Sequence, residues 1–558
     1  MAPIPLNLSF IEYEPQKVLE AFRRGEFDGL EVIGQADERD FFQRCFQERL
    51  LQRLADSLPS VRKKREVPRW FILAANLSLK LHQENSFLAF ERVVRCGGLL
   101  AALPPELAEK HLDAKSRQWA LRCQGFNHKN SYDRATPCDQ DTLRKALKDV
   151  PAATWLEWFN GAVQQVFQSD GFFDPEGLFI GDGSYLFVPD NPAYEGSAVL
   201  WFDEHNHPVK YEELTPEQRQ HAHRERCYKW VSLLHLRRGA HVYAGAVLLP
   251  GNANEIGPFF KLVEQFVRTV GKGVIKWLVL DRGFIDGEEI SRCKQLWDID
   301  VVIPMKKKMD IWTDAWALAQ KEPWQLIAPE PAPVVPIPAC RPERLRRSEA
   351  KRQKTLAERK VVQPPPPAHE RYSHTDYCWI KGFKSWTAAT VPIAVVCLRD
   401  HYADGHHDDW ALMSSSPSAQ PLYLLGLYRK RTAIEERHRQ LKCFYDLTDF
   451  RSRSFNAIAA QVVMVLLTYT LRQWQLWKFL QENLAGLTPE GLAAQLRLLQ
   501  QWIVIYLERA YTQLPVVSFT REAIQLEGIA RQKALRKLEL LESLLLTPIP
   551  NPRPPRPM

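Results

Sequence analysis

Two short apolar runs that each lead to an aspartate constrain the fold more than any other feature of the sequence. Residues Gly177 to Gly181 lead to Asp182, and Val274 to Leu280 lead to Asp281. Apolar runs of this length, bounded by glycine and charged residues, are typical of buried strands in an α/β layer. We therefore predict two strands, each of which presents a carboxylate at its C-terminal end.

The residues around these runs predict the rest of a mixed α/β core. Lys229–Leu236 and His241–Leu249 indicate a hairpin, because a short Gly-containing segment separates them. A helix is expected from about Gly257 to Val270, and a second helix precedes the strand Asp300–Met305. An order of strand, hairpin, helix, strand, helix and strand indicates a mixed sheet covered by helices.

The stretch from Tyr428 to Lys442 is predicted to be one amphipathic helix. At about 100° per residue, one flank of that helix carries Tyr428, Arg431, Glu435, Lys442 and also Arg439. Glu436 lies about 100° further round, so Glu435 is the carboxylate expected to act with the cations. A carboxylate among cations suits a site that binds both a metal ion and phosphates.

The three acids Asp182, Asp281 and Glu435 together indicate phosphoryl transfer. Open α/β sheets place their sites at the carboxyl ends of strands, so the three side chains are expected to converge there. Three carboxylates can hold two divalent ions that activate a water or a 3′-hydroxyl and stabilise the leaving oxygen. Each acid alone is more often a cap or a surface residue, so the hypothesis depends on their order and spacing.

The helical stretch also resembles a known family motif. Tyr428, Arg431, Glu435 and Lys442 are separated by two, three and six residues. They match all four positions of the Y-R-E-K motif of the insertion-sequence-four family of DDE transposases. The family consists of cut-and-paste enzymes with an RNase H-like catalytic domain. The resemblance implies that Tyr428, Arg431 and Lys442 hold phosphates near the cleaved transposon end.

The two aspartate motifs extend this resemblance. Asp182-Gly-Ser and Asp281-Arg-Gly-Phe look like the first and second aspartate motifs of the family, so the resemblance covers roughly Gly177–Met305 and Val391–Gln473. It implies that Asp182, Asp281 and Glu435 ligate two Mg²⁺ or Mn²⁺ ions per active site. It also implies double-stranded DNA as the partner, both transposon ends and target. A homodimer is expected when paired ends are bridged.

The segment 306–390 interrupts the α/β pattern and is predicted to be an insertion. Between two proline-rich stretches, residues 341–360 hold nine Lys or Arg against three Glu, which is +6 of the chain's formal charge of +8. This basic arm is expected to bind the DNA backbone through residues that include Arg344, Arg346, Arg347 and Lys351. Family members stack a flipped base on a Trp of the insertion, but no motif chooses among Trp312, Trp316, Trp324, Trp379 and Trp386.

The flanking regions show helical patterns. Residues 1–170 contain amphipathic runs without a strand pattern, and a helix pair near 141–168 would suit DNA-end binding. We therefore predict an α/β protein with flanking helical regions. Its predicted parts are an N-terminal region 1–170, a core in 171–305 and 391–475, the insertion 306–390, and a C-terminal region with a disordered tail, 476–558.

Composition bears on location and on other metals. Ten scattered cysteines without a CxxC pair, and no secretory pattern at the start, predict a reduced cytoplasmic protein that joins the nucleoid when bound to DNA. The apolar run Ile458–Leu471 is too short to span a bilayer, so we predict a buried core helix and no membrane partner. The HxH pairs at 205/207 and 221/223 lack a third ligand and are not interpreted as a zinc site.

Two alternatives stay open at this level. A metal-dependent nuclease on the same RNase H-like fold would cut DNA without joining it. A domesticated transposase would act only as a DNA-binding protein. The presence of all three acids argues against the second alternative, and only the reaction products separate the first from a transposase.

Overall fold

The protein is described here by a computed structural model. It covers residues 12–33, 36–61, 67–90, 93, 99, 140–237, 240–327, 372–480, 502–508 and 510–546. The chain forms two compact units. The first unit combines residues 1–276 with 432–558, and the second consists of residues 277–431.

Fifteen strands are described, numbered here in chain order. They are β1 Glu12–Tyr13, β2 Gly29–Ile33, β3 Gly177–Val188, β4 Ala198–Phe202, β5 Pro208–Val209, β6 His223–Arg237, β7 Ala240–Pro250, β8 Ile275–Leu280, β9 Asp300–Pro304, β10 Gln325–Leu326, β11 Tyr372–Phe383, β12 Ile393–Tyr402, β13 His407–Ser414, β14 Trp502–Leu507 and β15 Ala510–Pro515.

The α-helices in the same ranges are numbered in the same way. They are α1 Pro15–Arg24, α2 Ala36–Gln47, α3 Leu50–Asp56, α4 Arg69–Leu81, α5 Gln140–Lys148, α6 Ala152–Trp158, α7 Gln164–Ser169, α8 Pro216–His221, α9 Ile256–Val270, α10 Gly287–Trp297, α11 Asp310–Ala319, α12 Pro421–Arg429, α13 Thr432–Phe444, α14 Phe455–Leu480, α15 Val516–Ile524 and α16 Gly528–Leu546.

A four-stranded sheet in the first unit joins the two ends of the chain. Its order is β1, β15, β14, β2, with β1 parallel to β15 and the other pairs antiparallel. Helix α1 begins at Pro15 and ends at Arg24, and the next residue is Gly25, whose φ of 78° suits a residue without a side chain. Phe22 of α1 packs with Phe519 of α15 in a shared apolar core. The prediction that both terminal regions are helical is therefore wrong for β1, β2, β14 and β15.

The first unit also contains an antiparallel sheet built on the long strand β6. Strands β3, β4 and β7 each pair with β6, and β5 pairs with β4. The predicted hairpin is confirmed as β6 and β7, and the predicted helix near 257–270 is confirmed as α9. Helix α9 buries Phe259 and Phe266, which fixes its apolar face against the protein core.

Helix α14 forms the centre of the first unit. Every residue from Ile458 to Gln475 is buried, which confirms the predicted core helix. By length and composition, Phe455–Gln475 would be apolar enough to cross a membrane, but 89% of its most apolar window is buried inside the protein. Thr470 accepts a hydrogen bond from the backbone N–H of Tyr243 at 3.2 Å, so polar groups of α14 are bonded to strand β7.

The second unit contains a mixed sheet in the order β8, β9, β13, β12, β11, β10. Strands β8 and β9 are parallel, and the remaining neighbours are antiparallel. Helix α10 connects β8 to β9, and the Asp286 carboxylate caps its start by accepting the Glu289 N–H at 3.1 Å. Strand β11 lies inside the segment predicted as an insertion, yet its residues are paired along β12.

Candidate active site

Asp182 lies in the middle of strand β3. The strand continues to Val188 because β6 pairs with it along its whole length, with Ser232 opposite Asp182. The predicted strand end at Asp182 is therefore wrong, although the buried strand itself is confirmed. The Asp182 side chain is only 15% exposed, so its carboxylate is fixed by the sheet and by the groups that pack over it.

Helix α13 packs over this part of β3 and supplies those groups. His438 Nδ1 lies 3.7 Å from Asp182 Oδ2, and the Lys442 ammonium donates to Ser184 Oγ at 2.8 Å and to the Tyr185 carbonyl at 3.1 Å. The helix thus runs in the same direction as β3. Glu435 precedes His438 by about one turn on the same flank. Within the first unit, α13 therefore carries three functional groups of this region, which are Glu435, His438 and Lys442.

His438 is a residue that the sequence analysis missed. Its side chain is buried, and burial, followed by the nearby Lys442 charge, lowers its pKa to about 3. The imidazole is therefore neutral near pH 7, and its contact with Asp182 is not an ion pair. Spacing offered one signal for this residue, since His438 follows Glu435 by three positions and shares its helical flank.

Asp182, His438 and Ser232 form an arrangement that resembles a hydrolytic triad. His438 Nε2 lies 3.1 Å from Ser232 Oγ, while its Nδ1 faces Asp182. Ser232 is fully buried, so its hydroxyl cannot reach a substrate. A triad needs an accessible nucleophile. The geometry therefore assigns His438 and Ser232 to holding the Asp182 carboxylate rather than to nucleophilic attack.

Lys442 is partly buried beside the same carboxylate. Burial lowers its pKa, and the negative charge of Asp182 acts in the opposite direction. Two of its three N–H donors are used on β3, which leaves the side chain little freedom to move. The ammonium is thus a fixed positive charge next to Asp182.

Glu435 and Glu436 have different surroundings. Glu436 accepts two hydrogen bonds from Arg439, at 2.7 and 2.6 Å, and one from Gln440 at 3.0 Å. These donors lower the pKa of Glu436, with the Arg439 hydrogen bond as the largest cause. Glu435 is exposed and lies on the Lys442 flank of α13. Arg439 is also exposed, and its guanidinium is engaged by Glu436 on its own helix.

The second unit carries the other predicted site residues. Asp281 directly follows β8, as predicted, and begins the short 3₁₀ turn Arg282–Phe284. Tyr428 lies at the end of α12 and is half-buried, and Arg431 lies 5.9 Å above its ring. Burial raises the Tyr428 pKa most, Arg431 opposes this, and Asp281 raises it further. Asp281, Tyr428 and Arg431 are therefore neighbours within this unit.

The predicted single helix from Tyr428 to Lys442 is two helices. Helix α12 ends at Arg429 and α13 begins at Thr432, with Lys430 and Arg431 between them. The last bonds of α12 are short-range, since the N–H of Arg431 donates to the Tyr428 carbonyl at 2.8 Å. The common phase assigned to Tyr428, Arg431, Glu435 and Lys442 therefore holds for Glu435 and Lys442 only.

The remaining candidates divide into two groups. Arg344, Arg346, Arg347 and Lys351 of the basic arm lie outside the described residues. Of the tryptophans, Trp316 packs between Trp312 and Trp324 at centroid distances of 5.4 and 5.5 Å. Arg399 lies 5.4 Å from the Trp316 ring and 5.0 Å from the Trp324 ring. This row is a packed cluster of the second unit.

The donor chemistry of the three acids suits divalent cations. Asp182, Asp281 and Glu435 offer only carboxylate oxygens, which are the ligands that Mg²⁺ and Mn²⁺ prefer. His438 also orients the Asp182 carboxylate. Residues outside the ligand set commonly orient metal-binding carboxylates in this way. These residues fit the cations that the sequence predicts.

The fold and these side chains define an α/β protein that presents carboxylates from a strand, a strand end and a helix. Residues 195–471 match the family model described as a transposase DDE domain. This segment of the chain is similar to a transposase DDE domain. It includes Asp281 and Glu435 and begins after Asp182.

Two further comparisons concern whole chains. No curated protein sequence matches the chain. A similar solved structure is that of the piggyBac transposase synaptic complex with hairpin DNA, determined by cryo-electron microscopy. It is 9% identical, and the alignment covers 95% of this chain and 86% of that chain with a TM-score of 0.36.

Proposed function

We propose that the protein is a cut-and-paste DNA transposase of the insertion-sequence-four type. It would cleave DNA at the ends of its own element and join those ends to target DNA. The observation that supports this most is the match to a transposase DDE domain, because the matched residues contain Asp281, Glu435 and the complete Y-R-E-K spacing.

Asp182, Asp281 and Glu435 are the proposed catalytic acids, on an RNase H-like core. When bound, two Mg²⁺ or Mn²⁺ ions would activate the attacking oxygen and stabilise the leaving oxygen of an in-line displacement. His438 and Ser232 hold the Asp182 carboxylate in place through the contacts described above. The neutral state of His438 leaves the full negative charge of Asp182 available to the cations.

The basic residues are proposed to hold the DNA backbone. Tyr428 and Arg431 would bind phosphates of the transposon end, and Lys442 has one N–H beyond the two that it donates to β3. Arg439 and the arm at 341–360 would add contacts that do not depend on sequence. The active form would be a homodimer that bridges two ends, acting in the cytoplasm on nucleoid DNA.

The test is the reaction on linear DNA that carries the inverted repeats flanking the gene. With Mg²⁺ present, the wild-type protein is expected to release the ends and to join them to a target plasmid. The cleavage rate should fall more than about 100-fold in each of Asp182→Ala, Asp281→Ala and Glu435→Ala. This loss is larger than the loss caused by removing an outer-shell partner of a metal ligand. Binding of the ends, measured by mobility shift, should be nearly unchanged.

Glu436→Ala is the matched control, because Glu436 is the neighbouring carboxylate on the same helix and is engaged by Arg439. It should retain cleavage. An active Glu435→Ala protein beside an inactive Glu436→Ala protein would overturn the choice of acid. Cleavage without any joined product would identify a nuclease. If the wild type bound the ends but neither cleaved nor joined them, the protein would act only as a DNA-binding protein.

A further inference from the structure

Three potential metal ligands lie together on strands β11 and β12 of the second unit. His374 and His401 are directly opposite each other in the antiparallel register. Asp376 follows His374 by two residues, so both side chains lie on the same face of β11. The pairing of the sheet thus brings together residues that are far apart in the sequence.

The distances between these groups suit shared ligation of one ion. His401 Nε2 lies 3.2 Å from Asp376 Oδ2, and His374 Nε2 lies 3.9 Å from the same oxygen. One ligand atom from each residue lies within 4.8 Å of the other two. Two ligands at the usual 2.0 to 2.1 Å from a tetrahedral Zn²⁺ are about 3.3 Å apart. The His401–Asp376 distance already matches this value, and His374 Nε2 would have to move about 0.6 Å closer to Asp376.

The ring nitrogens near Asp376 are not both engaged in hydrogen bonds. His401 Nε2 is buried and makes no hydrogen bond, although the Asp376 carboxylate is near. A buried polar atom without a hydrogen bond requires an explanation, and an ion between it and the carboxylate supplies one. Ser373 Oγ lies 3.0 Å from His374 Nδ1, which leaves His374 Nε2 to face Asp376.

The two imidazoles are held parallel to each other. Their ring centroids are 4.4 Å apart with an interplanar angle of 11°, so the two rings are stacked. All three side chains are partly exposed, at 42%, 27% and 29% for His374, Asp376 and His401. An ion could enter from solvent without any opening of the sheet.

We propose that His374, Asp376 and His401 form a second metal site, for a first-row transition ion such as Zn²⁺. Two imidazoles and one carboxylate favour such ions over Mg²⁺, whose usual ligands are oxygens. Three protein ligands leave a fourth position for water. The bound ion would clip β11 to β12 and stabilise this edge of the sheet. The site is separate in chemistry from the three catalytic acids.

The test is Zn²⁺ titration of the full-length protein by calorimetry, after chelator treatment and in excess Mg²⁺. Wild-type protein should bind one Zn²⁺ that His374→Ala and His401→Ala each weaken at least about 10-fold. Bound Co²⁺ should give a visible absorption band that the same variants lose. Zn²⁺ should raise the melting temperature of the wild type but not of these two variants.

His406→Ala is the matched control, because His406 Nδ1 contacts Asp404 at 2.5 Å on the adjacent turn, and no third ligand joins them among the residues that the structure describes. It should bind Zn²⁺ as the wild type does. Asp281→Ala should also bind Zn²⁺ as the wild type does, which would show that this site is distinct from the proposed catalytic acids. Asp376→Asn serves where an alanine variant fails to fold. Absence of Zn²⁺ binding by the wild type would overturn the proposal, as would unchanged binding in folded His401→Ala and Asp376→Asn proteins.

Discussion

Asp182 and Asp281 are both predicted catalytic acids, but they have contrasting surroundings. Asp182 lies inside a continuous strand, under buried His438 and beside a lysine whose donors are bonded to the same strand. Asp281 lies in a turn after β8, next to exposed Arg282 and half-buried Tyr428. The first carboxylate is thus fixed by packing. The second lies among groups that are open to a polyanion, and the difference predicts distinct mutational effects.

Lys442→Met should give the largest of these effects, because it removes the fixed charge beside Asp182 but keeps the apolar stem. We expect the cleavage rate to fall by about 10- to 100-fold, as for outer-shell partners of a metal. Affinity for transposon ends should fall much less. Single-turnover cleavage and mobility shift assays measure the two quantities.

Arg439→Ala provides the contrast to that variant, since Arg439 is exposed on the same helix and engaged by Glu436. It should mainly weaken DNA binding, by about 1 kcal/mol or less. If Lys442→Met instead lost affinity and rate equally, Lys442 would be acting through substrate binding alone.

The buried environment also predicts acid sensitivity. The pKa of His438 is about 3 in the folded protein against an ordinary 6.5, so the unfolded chain binds the extra proton between these values. Stability should therefore fall as pH drops below about 6.5. By pH 5 this histidine alone contributes about 2 kcal/mol of loss. Buried His235 and partly buried His241, with pKa values of about 3 and 4, add losses of the same sign.

His438→Gln should lose less stability than the wild type between pH 7 and pH 5, because the glutamine amide does not titrate. Urea unfolding at pH 7 and pH 5 measures the change. His205→Gln is the control, since the His205 side chain is 71% exposed. If the wild type and His438→Gln lost the same amount of stability between pH 7 and pH 5, the His438 imidazole would be solvated in the folded protein.

Tyr428→Phe should give the smallest effect, in the open region around Asp281. Burial raises the Tyr428 pKa, so its hydroxyl keeps a proton that can be donated to a phosphate. Loss of one such hydrogen bond should weaken end binding by about 1 kcal/mol, roughly fivefold.

Tyr423→Phe tests whether any ring change on α12 has this result. Tyr423 is 50% exposed, and its ring centroid lies 5.4 Å from that of Trp277. It precedes Arg431 in the sequence by about two helical turns. It should bind transposon ends as the wild type does. Equal loss in both variants would assign the effect to helix packing rather than to the Tyr428 hydroxyl.

Local patterns predicted the central elements well because each had a strong periodicity. Strands β8 and β9, the β6–β7 hairpin and the buried helix α14 all follow from runs of apolar residues. The terminal sheet was missed because its strands are short and its pairs join residues far apart, such as Leu30 with Ile505. The strand propensity of a few residues does not show which distant segment they pair with.

The site was predictable to the extent that spacing reports it. Glu435 was separated from Glu436 by helical phase alone, while the break at Lys430 and Arg431 contains no Gly or Pro that would mark it. The mid-strand position of Asp182 depends on pairing with β6, which no local pattern shows. His438 and the His374–Asp376–His401 group depend on packing and on sheet register for the same reason.

The pairing of the chain's two ends has a consequence for biosynthesis. Residues 277–431 form a unit that is continuous in sequence, so it can fold while the ribosome is still translating. Strands β1 and β2 must wait for β14 and β15, which are made almost five hundred residues later. Until then, the apolar face of α1, including Val18 and Phe22, lacks the core residues that β14, β15 and α15 supply. Nascent chains should therefore depend on holdase chaperones until translation passes α15.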